Sequence, residues 1–303
     1  MRNIYDEKKW YDCKNIVLWG AGVLGKQVLN MGLPVTSIWD VGFAEVGTLR
    51  GISVERPLSG EFNKEDTLVI ICVGNKSAQT EISGILKINN YQNVLFFNDV
   101  ENIIYSRKVK SFKILNQSIK PGGTVFIGDS ITEQFRLSKY FPNINIYNRG
   151  IGGDTVAGLL KRLDESVFEL KPEKVFICIG TNDIAKKIPV DTIVQQLCAL
   201  MHILAEKLPE AKILVISILP VYSGDSPDID KLIIYPRTNE LIRELNKKIL
   251  NMSSDGNFSY INVHDKLTDN SCQLDINLTT DGLHLNKSGY EVFAKALESY
   301  LIT

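Results

Sequence analysis

The sequence has no excess of charge of either sign. Of its 303 residues, 34 are lysine or arginine and 35 are aspartate or glutamate, so the formal net charge is −1. Binding to nucleic acid depends on a basic surface that neutralises phosphates. We therefore expect no nucleic-acid partner.

Histidine is scarce, and cysteine shows no paired spacing. There are three widely separated histidines and five cysteines, with no C-x-x-C pair. Zinc sites and disulfide frameworks need closely spaced ligands or paired cysteines, so we predict neither a metal site nor a disulfide framework. Cys72 and Cys178 lie within apolar runs, which predicts buried free thiols.

Long apolar runs are absent too. All apolar segments are strand-sized, well below the roughly 20 residues that a membrane-spanning helix requires. The first nine residues contain no apolar core of signal-peptide length. These features predict a cytoplasmic protein without a membrane span. The hydrophobic content of 44% is sufficient to fill the cores of two domains.

The amino-terminal part has the pattern of a small parallel α/β unit. Apolar runs that end in glycine or polar residues alternate with segments compatible with helix, such as Ala78–Ile88. The predicted strands are Lys14–Leu18, Val35–Trp39, Leu68–Val73 and Asn93–Phe97.

A glycine-rich segment follows the first of these strands. Gly20, Gly22 and Gly25 form a G-x-G-x-x-G pattern between a strand and a helix, which is the context of a dinucleotide-binding turn. Asp40 ends the second strand, at the position of an acid that binds ribose. These four residues are therefore the candidates for binding a nucleotide.

This part resembles the amino-terminal Rossmann-like domain of bacterial sugar O- and N-acyltransferases. The matching features are the Gly-Ala-Gly turn, the strand ending in Asp40 and the segment Gly51-Ile52-Ser53-Val54. The resemblance implies a domain, residues 1–110, that holds a nucleotide-sugar or is only structural. Three possibilities stay open: a nucleotide or nucleotide-sugar pocket, an NAD site, or a glycine-rich turn that binds nothing.

Residues 106–122 are polar and basic and end in Pro-Gly, which predicts a domain boundary. Beyond it, residues 116–303 alternate strand and helix, with helices beginning near Ile131, Thr155, Val190, Leu232 and Lys287. This alternation predicts a parallel sheet covered by helices on both faces, with the site at the carboxyl ends of the strands. The predicted strands are Thr124–Ile127, Ile144–Tyr147, Lys174–Ile179, Lys212–Ile218 and Phe258–Val263.

Four polar segments fall at that edge. Ser130 follows the first strand, Gly153 follows the second, Asn182 follows the third, and Asp281 and His284 precede the last helix. Acyl transfer needs a nucleophile, a base, an acid that orients the base, and donors for an oxyanion, and this set contains all of them. These residues also have structural alternatives. Ser130 can be a plain N-cap, Asn182 can cap a turn, and Asp281 and His284 can be surface turn residues.

The ordered blocks Gly128–Ser130, Gly150–Thr155, Gly180–Asn182 and Asp281–His284 resemble those of SGNH hydrolases of the GDSL esterase superfamily. They are most similar to the platelet-activating-factor acetylhydrolase-like branch. The resemblance implies a flavodoxin-like, three-layer α/β domain with a five-stranded sheet, which needs no metal or cofactor. It also implies specific roles: Ser130 as nucleophile, His284 as base, Asp281 as its orienting acid, and an oxyanion hole from Ser130, Gly153 and Asn182.

Neighbouring residues receive secondary interpretations. Asp154 is expected to cap the helix near Thr155. His264 is expected at a strand end with Asp265 on the opposite face, where Asp265 is badly placed to orient it. His202 is expected to be a surface or packing residue. The loop Leu219–Pro236 either lines the acyl or alcohol pocket or is a plain solvent loop.

Three functions are compatible with these observations. The leading hypothesis is a serine esterase that releases a short acyl group, expected to be acetyl, from a small-molecule or glycan ester. The expected substrate is a carbohydrate or glycan precursor, because the amino-terminal domain resembles those of sugar acyltransferases. The second is a lipid or lysophospholipid acyl hydrolase. The third is a nucleotide-sugar-binding or scaffolding protein with residual esterase activity.

Overall fold

The computed structural model describes residues 13–226, 229, 231–256 and 258–302. The chain forms two compact units, which divide between Arg107 and Lys108. The expectation about the first nine residues lies outside the described part. Within the described residues, no helix is both long enough and apolar enough to cross a membrane.

The first unit contains a six-stranded sheet. Its spatial order is β3-β4-β2-β1-β5-β6. The strands are β1 (Asn15–Trp19), β2 (Ser37–Trp39), β3 (Thr48–Leu49), β4 (Ile52–Glu55), β5 (Thr67–Ile71) and β6 (Asn93–Phe96). The five strands from β4 to β6 are mutually parallel and have the order found in doubly wound nucleotide-binding sheets.

The predicted parallel α/β unit is therefore confirmed for five strands, and at one edge β3 pairs with β4 in antiparallel fashion. Arg50 and Gly51 join these strands, with φ values of 54° and 78°. Two successive residues with positive φ form the tight turn that suits a two-residue hairpin.

Four helices accompany this sheet: α1 (Val23–Asn30), α2 (Phe43–Val46), α3 (Lys76–Ile88) and α4 (Phe97–Asn116). Side chains of β5 alternate between two buried clusters, with Leu68 and Ile70 in one and Val69 and Ile71 in the other. Because successive strand residues point to opposite faces, this alternation gives the unit a core on each side of the sheet.

Helix α4 changes the interpretation of the boundary region. It continues through the first part of residues 106–122, and the two units divide within it. No proline or glycine interrupts Phe97–Asn116, and Lys113 in the last turn lies where a cation interacts favourably with the helix dipole. The polar, basic composition of this segment is that of a helix surface.

The second unit contains the predicted five-stranded parallel sheet. The strands are β7 (Thr124–Gly128), β8 (Ile146–Gly150), β9 (Lys174–Cys178), β10 (Lys212–Ile216) and β11 (Ser259–Ile261), in the spatial order β11-β10-β9-β7-β8. This is the flavodoxin-like order, and it confirms the predicted fold class. The strand that follows β7 in the chain, β8, lies on one side of β7, whereas β9 and the later strands lie on the other. The strand order therefore reverses between β7 and β9, and a crevice for a ligand is expected at their carboxyl ends.

Ten α-helices of this unit are described. The segment predicted as one helix from Ile131 to Tyr140 forms two short helices, because Phe135 is extended. The helix predicted to begin near Leu232 is similarly divided before Pro236. The helices are α5 (Ser130–Gln134), α6 (Leu137–Tyr140), α7 (Val156–Leu160), α8 (Leu163–Ser166), α9 (Thr181–Ala185), α10 (Val190–Lys207), α11 (Lys231–Ile234), α12 (Asn239–Met252), α13 (His264–Leu267) and α14 (Lys287–Ile302).

Two buried clusters cover the faces of this sheet as well. Phe126 and Phe176 stack with ring centroids 4.4 Å apart on one face, and Val125 and Ile177 pack on the other. The predicted burial of two free thiols is confirmed for Cys178 here and for Cys72 in the first unit. Burial raises the pKa of Cys72 to about 12, so this thiol stays protonated.

Candidate active site

The turn after β7 presents Ser130 at the start of α5. Asp129 is the N-cap, and its carboxylate accepts a hydrogen bond from the Ile131 N–H at 3.0 Å. The structural alternative for Ser130, a plain N-cap, therefore does not apply. Gly128 is required here because a Cβ would lie 2.1 Å from the Cys178 carbonyl oxygen. The turn holds the serine hydroxyl at the carboxyl edge of the sheet.

A chain of hydrogen bonds connects Ser130, His284 and Asp281. Ser130 Oγ lies 3.0 Å from His284 Nε2, and His284 Nδ1 lies 2.7 Å from Asp281 Oδ2. Asp281 Oδ1 also accepts the backbone N–H groups of His284 and Leu283, at 2.8 and 3.0 Å. Burial raises the pKa of Asp281, but these hydrogen bonds outweigh burial and hold it below its ordinary value. The carboxylate is therefore ionised where it contacts the imidazole.

The turn that carries this acid–base pair is fixed by Thr279. Its hydroxyl accepts the Gly282 N–H at 2.8 Å and donates to the His284 carbonyl oxygen at 2.8 Å. Gly282 has a φ of 84°, and a Cβ there would meet Ile234 at 2.5 Å. Backbone geometry thus orients both side chains independently of a ligand.

The three expected oxyanion donors lie on neighbouring segments. Ser130 heads α5, Asn182 is in the first turn of α9, and Gly153 follows β8 with a φ of 77°. A Cβ on the adjacent Gly152 would lie 3.8 Å from Ser130 Cβ, so this turn lies beside the serine. Neither the Ser130 N–H nor the Gly153 N–H has an acceptor among the described residues.

The Asn182 amide has a fixed orientation. Its Nδ2 donates to the Asp154 carbonyl oxygen at 3.0 Å, and its Oδ1 accepts from Arg237 at 2.9 Å. Because an amide nitrogen carries two hydrogens, one remains for another acceptor.

Arg237 contacts Asn182, and sequence reasoning missed this contact. It is buried, and it also donates to the Thr181 and Ile233 carbonyl oxygens at 3.1 and 2.8 Å. Burial lowers the pKa of this guanidinium, while Asp129 and Asp281 act in the opposite direction. Arg237 comes 55 residues after Asn182, so no local pattern indicates the contact.

A buried ion pair joins the ends of β7 and β8. Arg162 contacts Asp154 at 2.8 Å and donates to the carbonyl oxygens of Gly128 at 3.0 Å and Arg149 at 2.7 Å. The prediction that Asp154 caps the next helix was wrong, because its carboxylate is held by Arg162. The cap is Thr155, whose hydroxyl accepts the Gly158 N–H at 3.1 Å.

The other histidines lie elsewhere. His264 begins α13 instead of lying on a strand, and its Nδ1 is 3.0 Å from Asp265 Oδ1. The expectation that Asp265 is badly placed to orient it was therefore wrong, since helical residues need not alternate between faces. Ser130 Oγ contacts His284, and His202 is exposed on α10 as expected.

A small, largely apolar cavity adjoins the serine. Leu219 and Pro220, from the loop Leu219–Pro236, contribute to its wall, whereas Pro227 of that loop lies outside the described residues. The remaining lining residues are Asp129, Ile131, Cys178, Ile179, Thr181, Ile218 and Leu283. Ser130 itself is not among the residues that line the cavity, although its neighbours Asp129 and Ile131 are.

The glycine-rich turn of the first unit has its own geometry. A Cβ on Gly20 would lie 2.7 Å from the Cys72 carbonyl oxygen, and one on Gly25 would lie 2.2 Å from the Gly20 carbonyl oxygen, whereas Gly22 has nothing within 4 Å. Asp40 accepts the N–H groups of Ala21 and Gly42, at 2.7 and 2.8 Å. Packing thus explains Gly20 and Gly25, and Gly22 is the open position of the turn.

Within the described ranges there is no set of three or more His, Cys, Asp or Glu side chains arranged to hold a metal ion.

The fold and the edge of its second sheet define the class of protein, an ester hydrolase. The GDSL-like Lipase/Acylhydrolase family model matches residues 126–292. Since this match covers more than half of the chain, the protein belongs to that family.

Relatives agree with this assignment. The chain is 26% identical over 201 residues to platelet-activating factor acetylhydrolase IB subunit alpha2 from Bos taurus, covering 62% of this chain and 80% of the relative. It is also similar to a Streptococcus pneumonia protein described as a candidate platelet activating factor, at 31% identity and a TM-score of 0.62, covering 75% of this chain and 100% of that one.

A second solved structure shares the fold alone. This is a GDSL-like lipase from Bacteroides thetaiotaomicron, 22% identical with a TM-score of 0.56, which covers 64% of this chain and 97% of its own.

Proposed function

We propose that the protein is a serine esterase that hydrolyses a short-chain acyl ester, acetyl first, on a carbohydrate or glycan precursor. The observation that carries the proposal is the hydrogen-bond chain from Ser130 through His284 to Asp281, at 3.0 and 2.7 Å. Distances in this range permit direct proton transfer between nucleophile and base.

The reaction proceeds in two steps on this geometry. Ser130 Oγ attacks the ester carbonyl as its proton passes to His284 Nε2, and the protonated imidazole then gives that proton to the departing alcohol. Water attacks the resulting acyl-serine with His284 again as base, which releases the carboxylic acid and restores Ser130. Asp281 stabilises the imidazolium throughout and stays ionised.

The oxyanion of each tetrahedral intermediate forms near three donors. These donors are the Ser130 N–H, the Gly153 N–H and one N–H of the Asn182 amide. Donors whose positions are set before the reaction stabilise developing charge without a reorganisation cost. The anchoring of Asn182 by Arg237 and by the Asp154 carbonyl oxygen supports this role.

The proposed size of the acyl group rests on the relatives. Their name, acetylhydrolase, favours release of an acetyl group. An acetyl group is therefore the leading candidate.

The proposal for the alcohol part of the ester substrate rests on the first unit. Its strand order and open Gly22 suit a nucleotide-sugar, which favours a substrate connected with glycan synthesis. The lipid alternative draws on the relatives, whose name includes a lipid mediator.

The direct test is a hydrolysis screen. p-Nitrophenyl esters of increasing chain length are compared with acetylated sugars and with lysophospholipids, and we expect acetyl esters to react fastest and acetylated sugars to be hydrolysed. A preference for long chains or for lysophospholipids would support the lipid hydrolase instead. Absence of hydrolysis with every ester would favour the scaffolding alternative.

The first prediction identifies the nucleophile. Ser130→Ala should lower kcat on the order of a millionfold while the fold is kept, because the hydroxyl forms the covalent intermediate. Exposed Ser138 provides the control, Ser138→Ala, which should keep full activity. A fluorophosphonate should label Ser130, and labelling of the Ser130→Ala variant at the same rate would contradict the assignment.

A further inference from the structure

The turn that carries Gly153 is the most exposed part of the expected oxyanion hole. Gly152 and Gly153 are both exposed, whereas Asn182 is buried and Ser130 is half-buried. A backbone donor on an exposed turn stabilises an oxyanion well only if its position is fixed in advance. The contacts that hold this turn therefore bear on the rate of the reaction.

One side chain holds the turn from the nucleophile's own helix. Glu133 Oε2 accepts a hydrogen bond from the Gly152 N–H at 2.6 Å, one peptide unit before the Gly153 N–H. Glu133 lies three residues after Ser130 on α5, so the same helix fixes both groups. A hydrogen bond to an ionised carboxylate is shorter and stronger than one between neutral groups.

The second oxygen of this carboxylate is held as well. Lys108 Nζ contacts Glu133 Oε1 in an ion pair whose side chains are 41% and 28% exposed, respectively. Exposed ion pairs contribute little to stability, but this one limits the rotation of the carboxylate. Glu133 is therefore oriented toward Gly152 before any substrate arrives.

We propose that Glu133 is a positioning residue for the oxyanion hole. Its carboxylate ties the Gly152–Gly153 turn to the nucleophile helix, which places the Gly153 N–H opposite the developing charge. The inference rests on the proposed function, since this charge arises only in acyl transfer. Glu133 itself contacts no reacting atom. Its loss should weaken stabilisation of the transition state and leave binding of the ester nearly unchanged.

The test uses p-nitrophenyl acetate and the full chain. Glu133→Ala should lower kcat by about tenfold to a hundredfold with little change in KM, because a small displacement of a donor affects mainly the transition state. Glu133→Gln should recover most of the rate, because its amide oxygen can still accept the Gly152 N–H. Gln134→Ala, at the exposed neighbouring position, is the matched control and should behave like the wild type.

Lys108→Ala separates positioning from simple stabilisation. It removes the ion pair but leaves the Gly152 hydrogen bond, so its loss of kcat should be much smaller than that of Glu133→Ala. Urea denaturation of each variant reports whether folding has changed. Fluorophosphonate labelling of Ser130 should slow in Glu133→Ala in parallel with kcat.

Several results would overturn this role. They are an unchanged kcat in Glu133→Ala, a loss in Glu133→Gln equal to that in Glu133→Ala, and a loss in Lys108→Ala equal to that in Glu133→Ala. Each of these results overturns the role of Glu133 when the wild-type protein is active. A wild-type protein that hydrolyses no ester and resists the fluorophosphonate overturns the proposed function, and this role with it. The two failures are therefore distinguishable.

Discussion

At the scale of single residues, Asn182 offers a test of how the oxyanion is stabilised. Asn182→Ala removes an amide that is held at both ends, so kcat should fall by about a hundredfold to a thousandfold with little change in KM. Asn251→Ala, at an exposed position on α12, is the control. Steady-state kinetics on an acetyl ester give both constants. A large rise in KM at constant kcat would instead make Asn182 a substrate-binding group.

Asp129 gives a prediction about pH. Burial raises its pKa from 3.8 to about 7, although the Ile131 N–H, His284 and Arg237 act in the opposite direction. A carboxyl whose pKa is higher in the folded state stabilises the fold below its unfolded pKa, and this contribution disappears as pH rises through about 7. At roughly 1.4 kcal/mol per pKa unit, the contribution amounts to a few kcal/mol.

Asp129→Asn keeps the capping oxygen and removes the titration. Its stability relative to the wild type should therefore increase between pH 4 and about pH 7 and change little above that range. Urea unfolding at a series of pH values measures this difference. The same exchange at exposed Asp164 controls for the loss of one negative charge. A difference that is independent of pH would show that Asp129 does not titrate in this range.

The sequence allowed some of these residues to be predicted and not others. Ser130, Asn182, Asp281 and His284 occur in short motifs next to strand ends or a helix start, so the topology of a parallel sheet places them at the same edge. Arg162 and Arg237 were missed because their partners depend on how distant segments pack. The N-cap of α7 was assigned to Asp154 instead of Thr155, because the sequence does not reveal the contact between Asp154 and the buried Arg162.

At the scale of elements, α14 stabilises α5, the helix that begins at Ser130. The Tyr290 hydroxyl donates to the Ile131 carbonyl oxygen at 2.8 Å, and its ring stacks on Phe135 at 5.4 Å. Tyr290→Phe keeps the ring and removes the hydrogen bond, so unfolding free energy should fall by about 1–2 kcal/mol. Urea denaturation measures the change, and kcat should stay close to that of the wild type.

Tyr300 provides the matched control on the same helix. Its hydroxyl has no hydrogen-bond partner in the described part of the chain, so Tyr300→Phe should leave stability nearly unchanged. Equal effects of the two substitutions would show that the contact with Ile131 contributes nothing.

Element boundaries show where sequence patterns are insufficient. All five strands of the second sheet and four of the six strands of the first could be predicted to within a few residues, because they are apolar runs bounded by glycine or charge. Helix α4 was divided by a predicted boundary because its exposed, basic surface resembles a linker in composition. The antiparallel β3–β4 hairpin was missed, since strands of two and four residues are too short to produce a recognisable alternation.

At the scale of the whole molecule, the two sheets have different strand orders. The first has the order of nucleotide-binding sheets and the second has the flavodoxin-like order, both of which depend on long crossovers that local patterns do not encode. Alternation of strand and helix predicts parallel sheets in both cases. Which strands are neighbours became known only from the structure.

The first unit carries the last prediction. We expect it to bind a nucleotide-sugar more tightly than NAD, with phosphates at Gly22 and the start of α1, since a hydride carrier has no step to perform in ester hydrolysis. Calorimetry with UDP- and CMP-sugars against NAD measures this preference. Gly22→Asp should abolish binding by repelling the phosphates, because the open space around Gly22 accommodates the side chain. Tighter binding of NAD would contradict the prediction.

The position of the acid–base pair in the chain has a consequence for synthesis on the ribosome. The last strand, β11, ends at Ile261, whereas Asp281 and His284 belong to a single turn between it and α14. A nascent chain can therefore contain all five strands of the second sheet and the nucleophile while still lacking a base. In the proposed mechanism, a translation product that ends before Asp281 is therefore inert toward esters.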